Sequence, residues 1–160
     1  AEIKYFCKMI THDNVVDLLK GHDFAINALD FKTNLPFVFD DECRSMGIPV
    51  LHPYNFGWAG FLTIVHPQGE TLSAISDSHI GFELKMAEYA TQYCSFWQDS
   101  QTWLENVIQK YREEKEILPP PQLSIGSWIS AGYCVSAMFR LSTGQQVRFF
   151  PKFYMSSIFA

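Results

Sequence analysis

The chain has 160 residues, of which 48% are apolar, 16% aromatic and 18% charged, and its net charge is −5. This length fits one domain, residues 1–160, with a substantial core. The acidic balance argues against binding to nucleic acid or to an anionic membrane, because both require a basic surface. Few charges and many rings leave more apolar surface than one small domain hides, which favours a homodimer, a partner-binding surface or a ligand cavity.

Cysteine usage and the N-terminus suggest a cellular location. The four cysteines are far apart and form no CxxC pair, which is typical of free thiols in a reducing compartment. Glu2, Lys4 and Lys8 interrupt any N-terminal apolar run, so no signal peptide is expected. The longest apolar run, 56–65, is too short to span a bilayer. The sequence therefore predicts a soluble, cytoplasmic protein that does not bind membranes.

The first predicted element is rich in aromatic and branched residues. Residues 3–10 (IKYFCKMI) predict a strand. Residues 15–19 predict a short helix that Thr11 or Asp13 caps and Gly21 closes.

A second apolar run and a long connection follow. Residues 35–39 (LPFVF) predict a strand or a strand edge, with an acidic turn after it at 40–43. Glycines and prolines recur through 46–60 and predict a long irregular connection, a kind of segment that often carries function. Residues 61–65 and 71–75 flank a turn and predict a β-hairpin.

The strongest periodic signal lies between residues 78 and 117. Leu104, Val107, Ile108 and Tyr111 form one apolar stripe at helical spacing. A similar stripe runs from Phe82 to Trp97. One long helix and two helices both fit, and a break at 98–100 is favoured because Thr102 and Glu105 have the spacing of a capping box. Three prolines at 119–121 predict a helix end near residue 117 and a stiff connector.

The last forty residues alternate between apolar and other side chains. The period of two over 133–141 continues at 147 and 149, and segments 123–129 and 153–159 add two further predicted strands. The sequence therefore predicts an α+β fold. Its antiparallel sheet consists of hairpins and a C-terminal meander, and the central helical segment covers one face.

No phosphate-binding, zinc-protease or serine-hydrolase motif occurs in the sequence. The candidates for acid-base chemistry are Asp40, Asp41, His52 and His66, all from the irregular middle of the chain. With Glu42, Cys43 and His79 these residues also have the chemistry of metal ligands, but their spacing matches no known ligand pattern, so no metal and no cofactor is predicted. Cys43 beside Arg44, with His52 near in sequence, is a further candidate pair for nucleophilic chemistry.

Aromatic side chains are the second group of candidates. A small-molecule site needs aromatic walls and a few polar groups, and a packed core uses the same residues. The predicted ligand-binding residues are Trp58, Tyr89, Tyr93, Trp97, Trp128 and Tyr133.

These observations favour a small soluble binding protein without catalytic activity. It is predicted to form a homodimer and to bind a protein partner or a small apolar or aromatic ligand, in the manner of a bacterial accessory, immunity or regulatory protein. The alternative is a small enzyme with an acid-base or metal site between residues 40 and 79.

Overall fold

The computed structural model describes residues 2–114 and 122–159, and within them the chain forms helices on both sides of a four-stranded sheet. The elements in chain order are α1 (Val15–Leu19), β1 (Ala25–Ile26), α2 (Leu35–Ser45), β2 (Val50–Asn55), β3 (Ala59–Val65), a 3-10 turn (Leu72–Ala74), α3 (Phe82–Phe96), α4 (Thr102–Glu113), α5 (Ser124–Ser142) and β4 (Phe153–Ser157).

The sheet has the strand order β1-β2-β3-β4 and is mixed. β1 runs parallel to β2, whereas the β2–β3 and β3–β4 pairs are antiparallel. The predicted α+β class is confirmed, and the prediction of a purely antiparallel sheet is wrong. The parallel pair arises because α2 lies between β1 and β2 and carries the chain back across the sheet.

Both faces of the sheet are apolar, because neighbouring residues of a strand point to opposite sides. Val50, Phe61 and Val65 belong to the core that the sheet shares with α1, α2 and α3. Leu51 and Ile64 pack on the other face, against α5. Helices therefore lie on both faces, where the sequence predicted a cover on one face only.

The structure has helix α5 where the sequence predicted a C-terminal meander, so the prediction of a meander is wrong. The helix has 19 residues and buries Gly126, Ser130, Cys134 and Ala137, which recur every three to four positions. The alternation that predicted strands is real, but the buried positions carry small side chains, which give no strong periodic signal. Residues 145–149 have no regular secondary structure.

Helix α2 replaces the strand predicted at 35–39 and the acidic turn after it. Pro36 lies in the first turn of this helix, where its missing N–H costs nothing. Phe39 and Cys43, four residues apart, face the core. The connection predicted to be irregular at 46–60 also contains β2, so that prediction is wrong as well.

Two further strand predictions differ from the structure. Residues 2–10 have no regular secondary structure, and most of their side chains are exposed. β3 forms where a strand was predicted, but it pairs with β2 before it, and residues 72–74 form a 3-10 turn. The turn at 66–70 therefore does not close the predicted hairpin.

Several predictions are confirmed. α1 has the predicted bounds, but its N-cap is Asn14 without a side-chain hydrogen bond, so the predicted cap by Thr11 or Asp13 is wrong. β4 lies within the predicted final strand. The central stretch forms two helices, α3 and α4, with the break between them at residues 97–101. α4 begins at Thr102, but no side chain caps it, so the predicted capping box does not form. The helix end predicted near residue 117 and the proline connector lie outside the described residues.

Candidate functional site

A cavity of about 560 Å³ lies beside β2. β1 pairs only with the first two residues of β2, so the edge of β2 from residue 53 to residue 55 has no neighbouring strand on this side among the described elements. The loop 27–32, α3 and α4 surround this open edge. The end of a short strand therefore creates the cavity.

The cavity wall has an apolar side and a polar side. Leu104, Val107 and Ile108 of α4 line the apolar side, and they belong to the apolar helix face that the sequence predicted. Leu84 and Ala87 of α3 complete this side. Because α4 packs on α3 through Leu104, Ile108 and Ala87, the apolar wall is part of a small hydrophobic core.

The polar side is formed by the loop 27–32 and the first turn of α3. Asn27, Lys32 and Glu83 line the cavity here. The backbone N–H of Phe31 donates to Glu83 Oε1 over 3.1 Å, so the loop is tied to the start of α3. The polar groups of the cavity consequently lie on elements that contact each other.

Hydrogen bonds of the buried Asn27 side chain hold the loop 27–32 in place. Its side chain is 5% exposed and donates from Nδ2 to the carbonyl of Pro36 and to Asp40 Oδ1, both at 2.9 Å. Its Oδ1 accepts from the N–H of Leu29 at 3.2 Å. The Nδ2 group therefore joins the loop to α2, and Oδ1 holds Leu29 within the loop.

Asp40 and His52, two of the predicted catalytic residues, are brought together. His52 Nε2 lies 3.0 Å from Asp40 Oδ2, and the side chains are 1% and 11% exposed. The carboxylate lies off the direction of the ring N–H, so the contact is close without being a directed hydrogen bond. His52 does not line the cavity, and a bound molecule there would not reach its ring.

Tyr54 is a further buried polar residue of β2. The residue is 8% exposed and lines the cavity, and its hydroxyl has no hydrogen-bond partner among the residues that the structure describes. Burial, followed by the negative charges of Asp40 and Glu83, raises the pKa of the Tyr54 hydroxyl well above its usual value. The hydroxyl is therefore neutral, in a region of negative potential.

Glu83 is the half-buried charge of the cavity. It forms no ion pair with a basic side chain within the described parts of the chain. The N-terminus of α3 stabilises its charge by roughly 0.3–1 kcal/mol, since Glu83 is in the first helical turn. The other charges at the cavity, Lys32 and Asp30, lie 3.1 Å apart and neutralise each other.

The remaining predicted catalytic residues lie elsewhere. Asp41 is exposed on α2. His66 follows β3, where its Nδ1 accepts from the N–H of Gln68 and its ring contacts Phe149. Within residues 2–114 and 122–159, no three His, Cys, Asp or Glu side chains are close enough together to hold a metal ion. A catalytic role for these residues stays a prediction.

Cys43 does not have the character of a nucleophile. It is fully buried on α2, and burial, with added repulsion from Asp40 and Glu42, raises the pKa of its thiol to about 12. The sulfur is therefore a neutral thiol at physiological pH, and the sequence-based hypothesis of an activated Cys43 lacks the lowered pKa that it needs.

The predicted aromatic binding residues do not line the cavity beside β2. Tyr89 lines a second, more open cavity of about 480 Å³ beside Phe150, and Tyr93 packs on Phe153. The others lie in the β2–β3 turn, at the end of α3 and on α5, and a binding role for the whole set stays a prediction. These residues are Trp58, Trp97, Trp128 and Tyr133.

An exposed apolar stripe runs along the outer face of α5. Trp128, Val135 and Phe139 are 79%, 63% and 61% exposed, and their spacing of seven and four places them on one side of the helix. The predicted homodimer and protein partner, which such a stripe would suit, stay predictions. No helix within the described residues is both long and apolar enough to cross a membrane.

Sequence reasoning missed Asn27 and Glu83. Asn27 lies between the helix predicted at 15–19 and the strand predicted at 35–39, and Glu83 was not among the candidate residues. A glutamate in the first turn of a helix that follows a glycine carries no signal for a site. The contact that matters, with the N–H of Phe31, joins residues 52 positions apart.

No protein-family model, no curated protein and no solved structure matches this chain.

Proposed function

We propose that this protein binds a small, largely apolar molecule with one polar end in the cavity beside β2. The observation that carries the proposal is the cavity, whose volume of about 560 Å³ lies in the range of roughly 300–1,000 Å³ typical of small-molecule sites. An apolar wall and a polar wall on opposite elements orient such a molecule.

The arrangement of the walls supports a defined orientation. The apolar body of the ligand packs against Leu104, Val107 and Ile108, and its polar end lies near Glu83 and the loop 27–32. The loop is held in place by the buried hydrogen bonds of Asn27, so the site is largely formed before the ligand arrives. Preformed sites lose less conformational entropy on binding.

Binding is favoured over catalysis by the position of the ionisable groups. His52 is covered, and the thiol of Cys43 is neutral. A general base has to come within hydrogen-bonding distance of the proton that it removes, directly or through one water molecule. His52 does not line the cavity, so it is not placed for that role.

The test uses N-phenyl-1-naphthylamine, a neutral dye whose fluorescence rises in apolar surroundings. We expect the wild-type protein to bind it, and Val107→Trp, which places an indole in the cavity, to weaken binding at least tenfold, or about 1.4 kcal/mol. The matched control is Val135→Trp, the same substitution on the exposed face of α5. Circular dichroism confirms that each variant is folded.

Equal dye binding by Val107→Trp and the wild type would overturn the proposal, as would the absence of dye binding to the wild-type protein. Loss of binding in the control variant would place the dye on α5 instead.

A further inference from the structure

Within the described residues, the polar side of the cavity holds a carboxylate without a matching positive charge. Glu83 has one oxygen on the N–H of Phe31, and its carboxylate forms no ion pair with a basic side chain of the described residues. Lys32 is already paired with Asp30. A second carboxylate, that of Asp40, is only 11% exposed.

Asp40 lies outside the cavity lining and accepts a hydrogen bond from the neutral side chain of Asn27. His52 Nε2 lies 3.0 Å from its Oδ2. Burial and the charges of Asp40 and Glu83 raise the pKa of the Tyr54 hydroxyl, so both carboxylates contribute negative potential there.

Tyr54 adds no positive charge at this end of the cavity. The residue lines the cavity, but its hydroxyl oxygen is fully buried and has no hydrogen-bond partner within residues 2–114 and 122–159. A ligand in the cavity therefore meets other atoms of Tyr54 and not the hydroxyl.

Aromatic rings line the same cavity. Phe31, Tyr54, Phe56 and Tyr111 all contribute to its wall. The faces of such rings attract cations, most strongly where water is partly excluded. Carboxylate and ring faces together are the groups that bind an organic ammonium ion, whereas an anion would meet repulsion from Glu83 and Asp40.

We propose that the ligand of this cavity is an organic cation, with an ammonium or similar N–H donor group at Glu83 and an apolar body along α4. This assignment rests on the proposed binding function and adds the charge of the ligand. The ammonium group donates to the carboxylate of Glu83. The apolar body replaces water against Leu104 and Val107.

The test compares three probes of one shape by isothermal titration calorimetry: 4-phenylbutylammonium, 4-phenylbutanol and 4-phenylbutyrate. Only the ammonium ion can form a charge-assisted pair in which both partners are ionised, so it is expected to bind at least tenfold more tightly than the alcohol. The carboxylate is expected to bind more weakly than the alcohol. This comparison uses only the wild-type protein and does not depend on a variant that folds.

Glu83→Gln then assigns the preference to one residue. Glutamine keeps an oxygen for the N–H of Phe31, so the loop stays attached while the charge is removed. We expect the preference for ammonium over alcohol to fall to about threefold or less. Glu113→Gln is the control, since it removes one charge from the exposed opposite side of α4 and should leave the preference unchanged.

The outcomes separate the two proposals. Equal binding of ammonium ion and alcohol, or a preference that survives in Glu83→Gln, would overturn the cation assignment while the neutral dye still binds. Dye binding that the ammonium ion fails to displace would overturn it as well. If the dye does not bind either, the binding function itself is wrong.

Discussion

Asn27→Ala is the sharpest test of the buried network that supports the cavity. The substitution removes both donors that Asn27 offers, to the carbonyl of Pro36 and to Asp40, each at 2.9 Å. It also removes the acceptor for the N–H of Leu29. Because Asn27 is only 5% exposed, water does not replace these partners freely.

The expected cost follows from the groups left without partners. Each buried polar group that loses its partner costs roughly 1–3 kcal/mol. Asn27 also lines the cavity, so water entering from that side relieves part of the loss. We therefore expect the free energy of unfolding to fall by about 2–4 kcal/mol, a large part of the roughly 5–15 kcal/mol of a typical domain.

Urea unfolding followed by circular dichroism measures this loss as a lower midpoint at an unchanged slope. Asn106→Ala, an exposed residue of α4, is the control and should change stability by less than about 0.5 kcal/mol. The affinity for the dye is the second readout. In Asn27→Ala the loop 27–32 is no longer held in place, so the cavity should bind the dye less tightly. A stability loss no larger than that of Asn106→Ala would refute the role given to this network.

Two further predictions concern the thiols and the seat of α5. Iodoacetamide should modify the exposed Cys7 of the native protein and spare Cys43, because burial and a pKa of about 12 keep the Cys43 thiolate scarce at pH 8. In urea all four cysteines should react, and mass spectrometry counts the adducts. Rapid labelling of Cys43 in the native protein would contradict its burial. Gly126→Ala should destabilise the protein by about 1–3 kcal/mol in urea unfolding, because the new Cβ would lie 2.7 Å from the carbonyl oxygen of Ala59. Gly132→Ala, on the same helix with open space around it, should instead stabilise the protein slightly, and similar losses in both variants would contradict the close approach at Gly126.

The sequence predicted the elements whose periodic signal is carried by large side chains. α4 shows its apolar stripe directly, and the polar residues at 98–100 mark the break after α3. α5 was missed because the residues that it buries are small, so the visible pattern came from the larger residues between them. α2 was missed because a run such as LPFVF fits a buried strand and a helix equally well.

The candidate site was predicted in part. Asp40 and His52 were selected by residue type alone, and the structure places them 3.0 Å apart. Their contact depends on α2 and β2 lying face to face, which no local pattern reports. Asn27 and Glu83 are ordinary polar residues in the sequence, and they become part of a site only because the loop 27–32 connects them.

Pro53 of β2 explains why the β1–β2 pairing ends where the cavity begins. The N–H groups of Ala25 and Asn27 donate to the carbonyls of Pro49 and Leu51. In a parallel pair this pattern directs the backbone hydrogen-bonding groups of residues 49, 51 and 53 of β2 towards β1. The next bond of this parallel ladder would need an N–H at residue 53, and Pro53 has none. Because this hydrogen bond cannot form, the chain after β1 leaves the edge of β2 and continues as the loop 27–32. The open edge that results borders the cavity, so Pro53, which ends the β1–β2 pairing, helps to create the space proposed to hold a ligand.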